Sequence, residues 1–429
     1  MSRFLFATFG SLGDLHPYIA VARALIGRGH QAVIATAEDY CVAVEGAGVE
    51  FAPVRPKMTE FGDFQSLAKN LFNVYRGPEY LIRRLIMPQV RVAYEDLLRA
   101  AKGADVLISH PLSFALPLVA QRYELPWVAT VLSPLSFMSC YDPPVIAGAP
   151  WFRKLRILGP RAYRLLFSIM KRSAASWEGP LRCLRKELGL PPSKEIALFE
   201  GQFSPFGNLA LFDALLAAPQ PDWPTKTRIC GSPVYDGPAS DNALGDEVQG
   251  FLAAGEAPIV FALGSSAVWI AGDFWDKAMA AVRQLKRRAV LITGPVNLEN
   301  LPDGIHPFHY LSYSQIFQRA AAIVHQGGIG TLAQALRSSV PQLIVPVAFD
   351  QPDNARRAVA LGLARTIPFK RVTSDLLASE LRSLMAHDEY SRAARNVAGM
   401  LSDKDGAACA ANELCGFSRP VLDGREMVA

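Results

Sequence analysis

The segment His325-Gln326-Gly327-Gly328-Ile329-Gly330-Thr331 stands where an apolar run, Ile323 to His325, gives way to helical spacing over Gly330 to Ser338. Glycines let a backbone approach a ligand closely, and a helix start presents unpaired N–H groups at its positive end, a combination suited to a diphosphate. His325 can add a donor to the same oxygens. Asp350 and Gln351 lie just past the next strand-like run, Gln342 to Val345, and so reach the same rim. A carboxylate beside an amide can hold several hydroxyls of a sugar, although Asp353 in the same segment can equally cap the helix that follows. Near the N-terminus, Asp14 and His16 sit at the mouth of the first strand, where either can take a proton from a hydroxyl. Helix capping is the competing reading for Asp14, and His16 stands just before Pro17, the proline expected in that helix's first turn. Asp403-Lys404-Asp405 has a metal-binding spacing, but its place between two helical segments reads as a cap, and no metal site is expected.

These residues need strands that end at one rim. Arg3 to Phe9, Ala32 to Thr36, Val106 to Ser109 and Trp127 to Val131 read as buried strands alternating with helices, the pattern of a parallel sheet. Pro219, Pro221, Pro224, Pro233 and Pro238 then cluster in a short polar stretch, after which the pattern restarts at Ile259 to Leu263. Phe261-Ala262 ahead of Gly264-Ser265-Ser266 echoes Phe6-Ala7 ahead of Gly10-Ser11. The expected fold is α/β, with two Rossmann-like, doubly wound domains facing a central cleft. Their expected bounds are residues 1–218, a linker over 219–238, residues 239–400, and a helical tail over 401–429 that packs back on the first domain. Neither Gly-x-Gly-x-x-Gly opening the first helix nor Gly-x-x-x-x-Gly-Lys-Ser/Thr is present, which argues against dehydrogenases and P-loop ATPases.

A chain of 429 residues with 50% apolar content is long enough for two such cores. Six cysteines are scattered without a Cys-x-x-Cys pair, as expected of thiols in a reducing cytoplasm. No secretory leader and no apolar run of membrane-spanning length is read. The net charge of +5 is uneven: no acid occurs between Asp142 and Glu178, while Arg153, Lys154, Arg156, Arg161, Arg164, Lys171 and Arg172 all fall there. From Trp151 to Arg172 these cations alternate with apolar residues. The stretch reads either as a helix pair with one solvated basic face or as a peripheral contact with an anionic inner-membrane surface.

Gly10-Ser11-Leu12-Gly13-Asp14, Gln220-Pro221-Asp222-Trp223-Pro224, Gly264-Ser265, His325 to Gly330, and Asp350-Gln351 with Asn354 together resemble glycosyltransferase family 1 along nearly the whole chain. Within it, the sequence looks most like the bacterial rhamnosyltransferases of rhamnolipid synthesis. It departs from them at Gln326, where they carry proline, and at Ala267.

The resemblance implies the GT-B fold and an inverting, metal-independent transfer without a cofactor, from a nucleotide sugar such as dTDP-L-rhamnose to a lipid-like hydroxyacyl acceptor. Asp14 rather than His16 would be the base. Ser265, Ser266, His325, Gly328, Gly330 and Thr331 would hold the diphosphate, Tyr310, Leu311, Ser312 and Tyr313 the nucleobase, and Asp350 and Gln351 the sugar. Phe61, Phe64, Leu67, Leu71, Phe72, Tyr75, Tyr80, Leu81 and Ile82 offer an apolar lining for the acceptor or ordinary core packing. The alternatives are a UDP-hexose transferase acting on a small aglycone, sterol or polyketide, a nucleotide-sugar epimerase, and a non-catalytic partner of a membrane acyltransferase.

Overall fold

The computed structural model describes residues 1–237, 244–299 and 301–417. Its central strands are short, apolar and buried on both faces, which is what a parallel sheet covered by helices on each side requires, while the edge strands are partly exposed. The first sheet contains β1 (Arg3–Ala7), β2 (Gln31–Thr36), β3 (Glu50–Pro53), β4 (Val106–Ser109), β5 (Trp127–Val131), β6 (Asn208–Ala210) and β7 (Thr227–Ile229), in the order β3-β2-β1-β4-β5-β6-β7. The second contains β8 (Ile259–Ala262), β9 (Ala289–Ile292), β10 (Ile305–Phe308), β11 (Ala322–His325), β12 (Gln342–Ile344) and β13 (Ala364–Thr366), in the order β10-β9-β8-β11-β12-β13. Every pairing is parallel.

The strand order reverses between β1 and β4 in one sheet and between β8 and β11 in the other. A crevice therefore opens at the carboxyl end of each pair. Register makes the consequence specific. Ala7 pairs with Ser109, so the loops at Gly10 and His110 leave side by side; His325 pairs with both Ala262 and Ile344, so the glycine segment emerges between Gly264 and the loop to Asp350.

Six helices matter for the site: α1 (Leu12–Ile26), α2 (Phe64–Leu71), α3 (Gly159–Ala174), α4 (Ile329–Arg337), α5 (Gln351–Ala360) and α6 (Gly406–Phe417). α1 starts earlier than the proline suggests. Ser11 is its N-cap in a reciprocal capping box with Asp14, which leaves Pro17 inside the helix rather than in its first turn. The linker also differs from expectation, because Thr227–Ile229 pairs with β6 and belongs to the first sheet. Pro238, the last of the cluster, lies outside the described residues.

The two domains share apolar packing. Val131, Phe212 and Leu216 of the first meet Leu332, Leu336 and Ala355 of the second in one cluster. Past the second domain, Asp405 accepts from the Ala408 N–H at 2.9 Å and caps α6, so the Asp-x-Asp spacing is spent on a helix start. α6 then returns to the first domain, where Ala410, Ala411 and Leu414 pack in the core around Phe4 and Tyr18. Among the described residues, no helix is long and apolar enough to cross a membrane.

Candidate active site

The capping box fixes Asp14. Its Oδ2 accepts from the Ser11 N–H at 2.7 Å and from the Ser11 hydroxyl at 3.0 Å, which turns Oδ1 toward the end of β4. There the Nε2 of His110 lies 3.4 Å away. His110 Nδ1 accepts from the Leu112 N–H at 3.1 Å, so the ring proton sits on Nε2 and points at the carboxylate. Burial works to raise the Asp14 pKa, but the hydrogen bond from His110 and the bonds from Ser11 outweigh it, and the carboxyl is held below its usual value. His110 was not singled out in the sequence. The signal was available, because it follows a strand that must neighbour β1.

His16 goes elsewhere. Its ring packs edge-on against Tyr235 at 5.3 Å, and burial depresses its pKa to about 4, with Asp236 opposing. Two positions after Asp14 on a helix, it points away from the Asp14 carboxylate toward the linker. Its expected part as a base beside Asp14 does not follow from this placement.

On the second domain, His325 is completely buried. Its Nδ1 accepts from the Gly327 N–H at 3.1 Å and its Nε2 faces Gln342 Oε1 at 3.0 Å. Burial lowers its pKa to about 4, so the ring is neutral. Both nitrogens are taken, and the ring braces the glycine turn instead of presenting the donor expected of it. The groups left facing the crevice are backbone ones: α4 begins after Gly328 without a side-chain cap, so the first N–H groups, including Gly330 and Thr331, have no partner within the helix. The Thr331 side chain itself is buried.

Opposite this helix start, Ser265 is exposed and Ser266 half-buried in the short helix Gly264–Ala267. Gln326 lies between the two segments. A Cβ on Gly264, whose φ is +70°, would fall 2.3 Å from Gln326 Nε2, and one on Gly328 would fall 2.8 Å from it. Glycine at 264 is thus favoured by its backbone conformation, and any side chain there would displace the end of Gln326. Gln326 is 7% exposed, and its Oε1 has no hydrogen-bond partner.

Asp350 and Gln351 form the other wall. Gln351 Oε1 accepts from the Val347 and Ala348 N–H groups at 2.9 and 3.2 Å, so its carbonyl end shapes the loop and is not free for a ligand. Asn354 Nδ2 donates to Asp350 Oδ2 at 2.8 Å and to the Gly327 carbonyl at 3.0 Å, tying this loop to the glycine turn. Burial lifts the Asp350 pKa to about 6, relieved in part by Asn354 and reinforced by the negative charge of Asp14. The two carboxylates, one from each domain, therefore feel one another across the cleft.

Of the expected nucleobase loop, Leu311 and Ser312 are buried and Tyr310 is exposed. The Tyr310 hydroxyl donates to the Asp236 carbonyl, and Ser312 Oγ donates to Asp236 Oδ2 at 2.9 Å. Tyr313 stacks on Phe317 at 4.6 Å. Of the four, Tyr310 is the one that is exposed.

α2 and the residues after it reach across the cleft to the second domain. Phe64 stacks on Trp269 at 5.5 Å, and Phe72 meets Phe349 edge-on at 5.7 Å, immediately before Asp350. Behind the cleft, an ionic bridge that the sequence did not reveal joins the domains. Asp142 Oδ2 accepts from Arg357 Nη1 at 2.7 Å, and Arg357 Nε donates to the wholly buried Asp353 at 2.7 Å. Asp353 Oδ1 also accepts from the Val145 N–H at 3.0 Å. Asp222 and Trp223 hold the loop carrying Asp142: Asp222 accepts from Ser139 and from the Cys140 N–H, each at 2.6 Å, and Trp223 stacks on Phe137 at 4.0 Å.

Residues 4–97 match the glycosyltransferase family 28 N-terminal domain, and residues 274–412 match the C-terminal domain of the erythromycin biosynthesis protein CIII-like family. The O-mycaminosyltylonolide 6-deoxyallosyltransferase of Streptomyces fradiae is 28% identical over 403 residues, covering 92% of each chain. The vancomycin aglycone glucosyltransferase of Amycolatopsis orientalis is 28% identical over 417 residues, covering 96% of this chain and 97% of its own. The fold superposes on spinosyn rhamnosyltransferase SpnG complexed with thymidine diphosphate, with a TM-score of 0.67 at 18% identity over 96% of this chain and 100% of that one. The epimerase alternative is not supported, since both domain models and these relatives point to sugar transfer. One domain model on each sheet and relatives spanning nearly the whole chain indicate a nucleotide-sugar glycosyltransferase of the GT-B type.

Proposed function

We propose that the protein transfers a 6-deoxyhexose, L-rhamnose, from its dTDP donor to a hydroxyl of an apolar, hydroxyacyl-type acceptor, with inversion at the anomeric carbon. The observation that carries the reading is the placing of two carboxylates, Asp14 beside His110 at the carboxyl ends of β1 and β4 and Asp350 tied through Asn354 to the Gly327 carbonyl at the end of β11. In the proposed step the acceptor O–H gives its proton to Asp14 Oδ1, its oxygen bonds to the anomeric carbon, and the bond from that carbon to the diphosphate breaks. The leaving charge falls on the N–H groups at the start of α4 and on Ser265, with Gln326 Nε2 close by. A preorganised donor of this kind is typically worth about 10²–10³ in rate. Asp350 holds sugar hydroxyls.

The acceptor reading draws on apolar surface. Phe64, Phe72 and their partners Trp269 and Phe349 enclose one side. A cavity of about 40 Å³ lies behind β1 and β2 among Phe9, Val54, Ile86, Leu112 and Phe114. The rhamnosyl assignment draws on the aspartate at position 14 and on the fold shared with a rhamnosyltransferase that binds thymidine diphosphate. A second reading, a hexose moved to a macrolide, glycopeptide or sterol-like aglycone, draws on the activities in the relatives' names.

The test is nucleotide release by the purified protein from dTDP-L-rhamnose and from UDP-glucose, each with a 3-hydroxyacyl ester, a sterol or a macrolide aglycone. Acceptor-dependent release of dTDP with the hydroxyacyl ester is the expected result. Release from UDP-glucose with a ring aglycone selects the second reading, and release from no donor overturns both. Asp14→Asn keeps the oxygen that accepts from Ser11, so it should fold normally and lose about 10²–10⁴ in turnover.

A further inference from the structure

α3 and the turn-like segment before it, Pro150–Leu158, form a unit with a small core of its own: Phe152, Tyr163 and Phe167 are buried together. Its outer face is unusual in two ways. Five of the fifteen exposed large apolar side chains among the described residues fall in this one stretch: Trp151, Ile157, Leu158, Leu165 and Ile169. Clustering of that kind, unlike scattered exposed apolar residues, marks a surface that something covers.

The second feature is charge. Arg161, Arg164, Leu165, Ile169 and Arg172 recur at helical spacings of three and four on the exposed side of α3, and the buried residues Tyr163, Phe167 and Ala174 lie on the other. Arg153 is engaged by Asp142, and Lys171 by Glu200. Among the described residues, Lys154, Arg156, Arg161, Arg164 and Arg172 have no ion-pair partner, and no acid lies between Asp142 and Glu178 to supply one. Protein cores and protein partners do not require five unpaired cations interleaved with a tryptophan and four aliphatic side chains. A layer with anionic headgroups above hydrocarbon does.

We infer that the exposed face of residues 151–172 docks the protein on an anionic lipid surface, with the helix lying in the plane of the headgroups. The face adjoins the acceptor side of the cleft: a Cβ on Gly148, just upstream, would meet the Val74 carbonyl at 2.8 Å and the ring of Tyr75 at 3.2 Å, and Tyr75 is itself exposed. Arg153, within the docking unit, reaches Asp142, whose other oxygen binds Arg357 on the helix headed by Asp350. Docking would therefore set the acceptor entrance against the lipid. The inference rests on this surface and not on the transfer reaction.

The experiment is flotation of the full chain with vesicles of phosphatidylcholine alone, and of equal parts phosphatidylcholine and phosphatidylglycerol, at low and high salt. Two variants accompany it, Leu165→Ser with Ile169→Ser, and Arg161→Glu with Arg164→Glu; both leave the core of the unit untouched, and their melting curves check this. Binding to the anionic vesicles only, weakened by salt and reduced about tenfold or more by the charge reversal, is the expected outcome. The serine pair should weaken it as well. Failure of the wild-type chain to float with anionic vesicles overturns the inference, as does equal binding by both variants. So does concentration-dependent self-association in sedimentation that the serine pair abolishes, because a second copy of the chain would then be what covers the face.

Discussion

His110 Nε2 points at Asp14 Oδ1 from 3.4 Å, its proton fixed there by the bond that Nδ1 accepts from the Leu112 N–H. The pair comes from the ends of two adjacent strands, one on each side of the strand-order reversal. A carboxylate so held stays ionised at neutral pH and takes a proton only as the acceptor oxygen acidifies on bonding to carbon. In the proposed mechanism His110 is a positioning residue.

His110→Ala should therefore lower kcat more than it raises KM for the donor. Without the imidazole the Asp14 pKa rises, so the acid limb of the kcat/KM profile should move to higher pH. A profile whose limb stays in place while the rate falls would make His110 structural only.

Asp350 carries a second, separate pH dependence. Burial first, then the charges of Asp14 and Asp353, lift its pKa to about 6, so donor affinity should fall as the pH drops through that value. Asp350→Asn should flatten that dependence in a donor titration across pH 5 to 8. For stability the sign is opposite. A carboxyl raised above its unfolded value adds stability below the ordinary value of 3.8 and loses it as pH rises through about 6, so the wild type should gain in Tm over Asp350→Asn as the pH falls.

Arg357→Ala takes from the wholly buried Asp353 its shorter ion pair, at 2.7 Å, and leaves Arg356, 3.2 Å from Asp353 and 3.7 Å from Asp142, as the one cation the two carboxylates share. Leaving a buried charge wholly unpaired typically costs about 3–5 kcal/mol, and with Arg356 still in place the loss should fall below that range, readable as a shift of the urea midpoint. Adding Asp353→Asn and Asp142→Asn should recover much of that loss. Recovery separates an uncompensated charge from simple loss of packing.

His325→Ala should reduce turnover and Tm together, since the ring that braces the Gly327 N–H and meets Gln342 is removed from a fully buried position. Isothermal titration with thymidine diphosphate provides the check. Loss of turnover with unchanged melting and unchanged nucleotide affinity would mean that the ring moves to the substrate during the reaction.

The strands on either side of each order reversal, β1, β2, β4, β5, β8, β11 and β12, were legible because buried parallel strands announce themselves as short apolar runs bounded by glycine turns, whereas β3, β6, β10 and β13 carry too few apolar residues or are too short to do so. The glycine segment of β11 and the Asp350 loop were legible for the same reason. Less visible was how each polar group spends its bonds. Asp14 divides its oxygens between a helix cap and a histidine nearly a hundred residues away, and Gln351 uses its carbonyl on its own loop. His16 is separated from Asp14 by two helix positions, too few for the side chains to share a face. The Asp142, Asp353 and Arg357 bridge depends on domain placement, which no local pattern encodes. Thr227–Ile229 was obscured by the prolines around it, although a three-residue edge strand needs little sequence to form.

The return of α6 has a consequence for how the chain is made. Ala410, Ala411 and Leu414 complete the apolar core that also contains Phe4, Tyr18 and Leu25. The ribosome delivers the first domain long before it delivers these three residues, with the whole second domain in between. Until then the flank of α1 that they cover is bare, open to chaperones or to another nascent chain, and the first domain cannot reach its final stability as an independent unit during synthesis. Order of synthesis and order of completion thus run in opposite directions for the half of the molecule that carries Asp14.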